Sequence, residues 1–141
     1  MPAETPRTHF QFDIRVYYED TDAAGVVFYA NYLKFFERGR TEWLRQLGVN
    51  QSELAVTEQR MFVVKNVDAR YRKPAKLDDQ LSIRSTITRV GRASVDFQQS
   101  AHANGVLLCD STITVCCVDS RTFRPAPLPD TLRTLLEKVQ N

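Results

Sequence analysis

One long segment of helical periodicity, set between segments that alternate like strands, constrains the fold of this chain more than any other feature. Apolar and polar side chains alternate from Phe10 to Tyr18, as in a strand with one buried face. From about Asn31 the period becomes that of a helix, which Gly48 is placed to end. The apolar stripe of this helix comprises Leu33, Phe36, Trp43, Leu44 and Leu47, and Gly39 and Arg40 interrupt it.

Four more alternating segments follow a polar loop at residues 50–60. They cover residues 61–72, 81–87, 95–101 and 106–118, with a hairpin signal at Asn104-Gly105. A proline-rich connector at 124–129 leads to a short amphipathic helix carrying Leu132, Leu135, Leu136 and Val139. The pattern predicts an α+β fold in which one antiparallel sheet wraps around one long central helix. We assign residues 1–8 to a flexible N-terminal lead-in and residues 9–141 to a single domain.

The predicted fold has more sheet surface than one helix can cover. The opposite sheet face stays exposed unless a second subunit covers it, so we expect a homodimer at least.

Composition limits the classes of partner. The 141 residues are 43% hydrophobic and 26% charged with a net charge of +2, so a globular domain is expected and a nucleic-acid partner is not. No apolar run is long enough to span a bilayer and no signal segment opens the chain, which makes a cytoplasmic location the default. Cys109, Cys116 and Cys117 do not have metal-ligand spacing, so we expect no metal and three small buried side chains.

The junction between the first strand and the long helix is the candidate site. Glu19, Asp20 and Asp22 stand at the predicted strand end, and Gly25 permits a positive φ or a close backbone approach. An apolar run at 26–29 then precedes the free N–H groups of the helix, which favour negative charge on an oxygen. A partly buried carboxylate beside such amides suits acyl transfer. An aspartate before a helix is, however, also a common cap or Asx-turn, and spacing alone favours that reading.

Several segments in sequence order resemble one family. They are YEDTDAAGVVFYANY at 18–32, FERGRTE at 36–42, FVVK at 62–65, PAKLDD at 74–79, VCCVD at 115–119 and PAPLP at 125–129. Together they resemble hotdog-fold acyl-CoA thioesterases, of the YbgC-type branch and the related 4-hydroxybenzoyl-CoA thioesterases.

The resemblance implies a site and an activity. The family's catalytic aspartate corresponds to Asp22, as nucleophile or general base, and its oxyanion-binding backbone N–H corresponds to the region of Tyr29. Gly25 and Arg92 are candidate substrate-binding residues, and Val64 and Lys65 resemble the strand that lines the acyl pocket from a partner subunit. Arg72, Lys73, Lys76 and Arg89 are further cations for coenzyme A phosphates. The implied substrate is acyl-CoA, or acyl carrier protein, with no cofactor, in homodimers that commonly pair into homotetramers.

One position departs from the YbgC-type pattern. That branch has a histidine seven residues after the aspartate, where this chain has Tyr29 as in the benzoyl branch. Two other functions stay open. Hydration or dehydration of acyl thioesters usually needs a histidine, and neither His9 nor His102 lies in the junction. A non-catalytic acyl-thioester-binding or envelope-associated adaptor would use the carboxylates only as caps.

Overall fold

The computed structural model describes residues 8–141, so the predicted lead-in at 1–8 lies almost entirely outside the described residues. Strand β1 (His9–Arg15) is followed by helices α1 (Asn31–Gln46) and α2 (Gln51–Thr57). Strands β2 (Arg60–Tyr71), β3 (Gln80–Val90), β4 (Ser94–Ala103) and β5 (Val106–Asp119) come next. Helix α3 (Asp130–Lys138) ends the chain. None of the helices among residues 8–141 is long and apolar enough to cross a membrane.

The strands form one antiparallel sheet in the order β1-β3-β4-β5-β2. Asn104 and Gly105 both have positive φ, at 52° and 77°, which is the conformation that a two-residue hairpin turn requires. Helix α1 lies across β1, β3 and β4. The predicted α+β arrangement of one sheet around one long helix is therefore confirmed.

The core lies between α1 and the sheet. Trp43 is 2% exposed, stacks on Phe10 at 6.1 Å between ring centroids, and meets Phe97 edge-on at 6.4 Å. The helix also buries Phe35, which the predicted stripe omits, while Leu33 and Leu47 are only partly buried. All three cysteines are buried and unpaired, as predicted, and burial raises the pKa of the Cys109 thiol to about 12.

Two predicted boundaries are wrong. The polar segment after α1 contains the helix α2, because the Asn50 side chain accepts a hydrogen bond from the Glu53 amide and caps it. The first strand ends at Arg15, and Tyr18–Asp20 form a single 3₁₀ turn instead of its last residues.

The two faces of the sheet differ in polarity, and most of the exposed apolar side chains of the sheet lie along one edge. The sheet face turned away from α1 carries polar side chains such as Arg84, Gln98 and Thr112. Exposed apolar side chains are found instead on the edge strand β2, which α1 does not cover. They are Val63, Val64, Val67 and Tyr71, from 36% to 51% exposed.

Candidate active site

The β1–α1 junction folds back on itself. The Asp22 amide donates to the Val26 carbonyl at 2.9 Å, and the Gly25 amide donates to the Asp22 carbonyl at 3.0 Å. Thr21 forms an isolated antiparallel bridge with Val27. Gly25 closes the turn with a φ of 80°, a conformation that glycine adopts without the penalty paid by other residues. Asp22 thus lies in this tight turn and Glu19 and Asp20 in the preceding 3₁₀ turn, and none of the three is at a strand end as predicted.

Asp20 is the structural carboxylate of this junction. Its side chain is buried, with the residue 5% exposed. One carboxylate oxygen accepts from the Tyr17 amide at 2.9 Å, and the other accepts from the Asn31 side-chain amide at 2.6 Å. Since Asn31 is the first residue of α1, Asp20 ties the end of β1 to the start of the helix. The sequence grouped Asp20 with Asp22, and no spacing signal separates the two.

Asp22 is exposed, which corrects the prediction that it is partly buried, at least within one protomer. Its Oδ1 accepts a hydrogen bond from the Ala24 amide at 2.9 Å, which is the Asx-turn left open as an alternative. Its Oδ2 has no hydrogen-bond partner among residues 8–141. One oxygen therefore holds the side chain in the turn, and the second is free for chemistry.

The start of α1 offers an open backbone donor. Ala30 occupies the N-cap without a side-chain cap, and the Asn31 amide donates to the Phe28 carbonyl at 2.8 Å. The Tyr29 amide has no acceptor in the described part of the chain. The Phe28 amide donates to the Asp20 carbonyl at 3.0 Å, so Asp22 and Tyr29 lie on opposite arms of one short turn. Open amides at a helix start stabilise negative charge.

Aromatic rings surround this donor. The Tyr29 ring is 62% exposed and lies 4.7 Å from Phe28 and 5.9 Å from Tyr71, between ring centroids. Tyr32 packs on Tyr71 at 5.6 Å, and its hydroxyl accepts from the Ala75 amide. Burial raises the pKa of Tyr71. The rings of Tyr29, Tyr32 and Tyr71 line a shallow cleft with Arg72 and Lys73. The sequence missed Tyr71, although the alternation of β2 places it on the same face as Val67.

The other predicted binding residues do not meet Asp22 within one chain. Val64 lines a pocket between α1 and the sheet, and Lys65 is the extra residue of a bulge in β2. Arg92 follows the last residue of β3, in the β3–β4 turn. The junction lies near the other end of β3, where Val26 pairs with Lys76 just before the strand begins. The exposed Arg92 side chain makes no hydrogen bond or ion pair among residues 8–141. Arg72, by contrast, is paired with Asp110 at 2.7 Å.

The chain belongs to the thioesterase-like superfamily, whose family model matches residues 16–136. It is 44% identical to the acyl-CoA thioesterase YbgC of Haemophilus influenzae, over 93% of this chain and 96% of the relative. It is 42% identical to the acyl-CoA thioester hydrolase YbgC of an Escherichia coli O6:H1 strain, over 89% of this chain and 93% of the relative. The crystal structure of a probable thioesterase from Bartonella henselae superposes with a TM-score of 0.82 at 35% identity, covering 86% of this chain and 99% of that one.

These matches confirm the predicted family and its fold. The sheet order and the central helix are those of a hotdog thioesterase, and the similarity extends over most of the chain.

Proposed function

We propose that this protein is a cytoplasmic acyl-CoA thioesterase that hydrolyses a thioester to a free acid and coenzyme A. The proposal is supported by one observation: Asp22, with a free Oδ2, and Tyr29, with an open amide, lie on opposite arms of one short turn. The names of the relatives support the substrate class. The unpaired buried cysteines are typical of a reducing compartment.

The chemistry requires only the chain, the substrate and water. The Tyr29 N–H donates to the thioester carbonyl oxygen and stabilises the negative charge that develops there; removing a donor of this kind costs about 10²–10³ in rate. Asp22 either takes the proton of a water molecule that attacks the carbonyl carbon, or attacks that carbon itself. The carbon–sulfur bond then breaks and the thiolate leaves to be protonated. In the second route, water hydrolyses the resulting anhydride.

Substrate binding needs cations for the phosphates and an apolar surface for the acyl group. Lys73 lies in the cleft with Tyr29, and the open guanidinium of Arg92 is a second candidate. Within one chain Val64 and Lys65 are remote from Gly25 and Asp22, so we infer that a second copy supplies them. The active unit is then a homodimer or homotetramer. Coenzyme A and acyl carrier protein carry the same phosphopantetheine thioester, and either satisfies this geometry.

Thiol release from a panel of aliphatic and aromatic acyl-CoA esters tests the proposal. Asp22→Asn should lose about 10²–10⁴-fold in kcat, the range that a positioned base contributes. Asp78→Asn is the matched control, since Asp78 is exposed, has a positive φ that asparagine tolerates, and has no assigned role. The control should keep wild-type turnover. Equal turnover by both variants would remove Asp22 from the mechanism.

The adaptor remains the second candidate, because the observed Asx-turn gives Asp22 a structural role without catalysis. An adaptor would bind acyl-CoA without releasing thiol in either the wild type or the variants. Trapping of an enzyme-linked anhydride during a single turnover would distinguish direct attack by Asp22 from general-base catalysis.

A further inference from the structure

A buried arginine on α1 has no counter-ion among the described residues. Arg40 is 8% exposed, and none of the ion pairs formed by residues 8–141 includes it. Burial lowers the pKa of Arg40, but a guanidinium stays protonated at neutral pH. A buried charge without a partner is costly, so its retention needs a physical reason.

The position of Arg40 is fixed by a neutral side chain. Its Nη1 donates to Gln99 Oε1 at 2.9 Å. Gln99 is 1% exposed, and its own amide donates to the Phe36 carbonyl and to Ser85 Oγ, both at 2.9 Å. Those two bonds orient the Gln99 oxygen toward Arg40. The other guanidinium donors make no hydrogen bond within the described part of the chain.

Arg40 lines the pocket between α1 and the sheet that Val64 also lines. The pocket encloses about 120 Å³, and most of its remaining wall is apolar, including Phe62, Val95 and Phe97. The guanidinium lies 6.0 Å from the Phe97 ring centroid. A dry apolar cavity of about 150 Å³ can hold benzene, so the smaller space here limits a ligand's apolar body to a benzene ring or less.

Glu37 is the one acidic side chain in the pocket wall. It is exposed to solvent, accepts a hydrogen bond from Thr41 Oγ1 at 3.3 Å, and does not approach Arg40 within ion-pair distance. The charge of Glu37 raises the pKa of Arg40, but burial lowers it by more. Glu37 therefore leaves the guanidinium available for a ligand.

We propose that this pocket binds a small carboxylate with an apolar body no larger than a benzene ring, and that Arg40 donates hydrogen bonds to the carboxylate oxygens. A planar guanidinium is the side chain best suited to pair with a carboxylate. The ligand can be a free acid, or the far carboxylate of an acyl group on coenzyme A. The second source, unlike the first, rests on the proposed thioesterase function.

Calorimetric titration with benzoate and butyrate tests the binding. The wild type should bind at least one of the two, and benzamide and butyramide should bind more weakly. Arg40→Met should weaken carboxylate binding at least about tenfold, the effect of losing a charge-assisted hydrogen bond. Arg38→Met, which removes an exposed arginine from the same helix, should leave it unchanged. Equal carboxylate affinity in Arg40→Met and wild type would overturn the proposal.

A measurement on the unaltered chain guards against a variant that fails to fold. Titration of ¹⁵N-labelled wild-type protein with benzoate should shift the Arg40 Nε–H resonance and the amides of Val64 and Phe97. A saturating titration that leaves these three resonances in place would also overturn the proposal. Without ligand, Arg40→Met should melt lower than wild type, because the substitution leaves the buried Gln99 Oε1 without its hydrogen-bond donor.

Two thioesters distinguish the sources of the carboxylate. If the far carboxylate of an acyl group is read, Arg40→Met will lower kcat/KM for glutaryl-CoA at least about tenfold more than for pentanoyl-CoA. If free acids are the ligands, the variant will change kcat/KM equally for both esters and will still lose benzoate binding. If the wild type cleaves neither ester, the acyl group is excluded as the source of the carboxylate, while the benzoate result stands by itself.

Discussion

At the residue scale, two aspartates two positions apart divide the work of the junction. Asp20 is buried and bonds both Tyr17 and Asn31, whereas Asp22 is exposed and keeps one oxygen free. We predict that Asp20→Ala lowers the free energy of unfolding by about 2–4 kcal/mol, because it leaves buried donors unpaired. Asp22→Asn should change it by less than about 1 kcal/mol, since the asparagine oxygen can keep the turn. Urea unfolding measures both, and equal losses would contradict this division.

At Tyr29, the backbone amide and the side chain have different roles. The open donor is its amide, and its ring only packs beside Phe28 and Tyr71. We predict that Tyr29→Phe keeps kcat within a few fold of wild type, because the amide is unchanged. A loss of about 10²-fold, the size expected for a missing oxyanion donor, would show that the phenol takes part in the reaction.

At the scale of elements, the helix α1 depends on a glycine in its middle. A Cβ at Gly39 would stand 3.0 Å from Ile83 Cγ2 and 3.2 Å from Gln99 Nε2. Both neighbours are fully buried and cannot move aside cheaply. We predict that Gly39→Ala destabilises the fold by about 1–3 kcal/mol, although alanine gains about 1 kcal/mol in helix propensity.

Thermal unfolding of Gly39→Ala beside Lys34→Ala measures this prediction. Lys34 is an exposed position on the same helix, so its substitution should have little effect. A Gly39→Ala variant more stable than wild type would show that the sheet can yield to the extra carbon.

The elements also show what the sequence can and cannot predict. Periodicity was sufficient for α1 and all five strands, because apolar side chains recur regularly in each of them, even in β2, where no residue is fully buried. It failed for α2, which buries no residue fully and is marked in the sequence only by Asn50 and Glu53 at capping distance. It also joined Tyr18 to β1, since alternation does not reveal where a 3₁₀ turn begins.

At the scale of the whole molecule, the exposed apolar side chains along β2 favour association with a second copy of the chain. Val64, Val67 and Tyr71 are exposed on the α1 side of the sheet edge. We predict that the wild type has at least twice the chain mass of 16.2 kDa in light scattering. Val67→Asp should produce folded monomers with little thioesterase activity, because a charge cannot be buried there cheaply.

The neighbouring substitution Asp68→Ser is the control for that variant, since Asp68 points to the polar face of the same strand. A monomeric wild type with full activity would refute the need for a second copy. The sequence indicated more than one subunit from the sheet surface that one helix leaves uncovered, and the structure has exposed apolar side chains on β2. Single-chain periodicity shows which faces are apolar, and not how far one helix will reach across them.

The same limit applies to the candidate site. The junction, Asp22 and the helix start were predicted from local pattern and family resemblance, and they lie together on one turn. Val64, Lys65 and Arg92 lie elsewhere in the chain. Their meeting with Asp22 depends on the arrangement of subunits, which no local pattern encodes. The pairing of Arg40 with Gln99 was also hidden, because it joins residues 59 positions apart.

The role of Asp22 is measured most directly by the single-turnover rate of thioester cleavage by Asp22→Asn, saturated with an acyl-CoA that the wild type hydrolyses. We predict that the variant binds a non-hydrolysable thioether analogue with wild-type affinity and cleaves the bound ester about 10²–10⁴ times more slowly. Cleavage at the wild-type rate from an equally saturated complex would contradict this prediction.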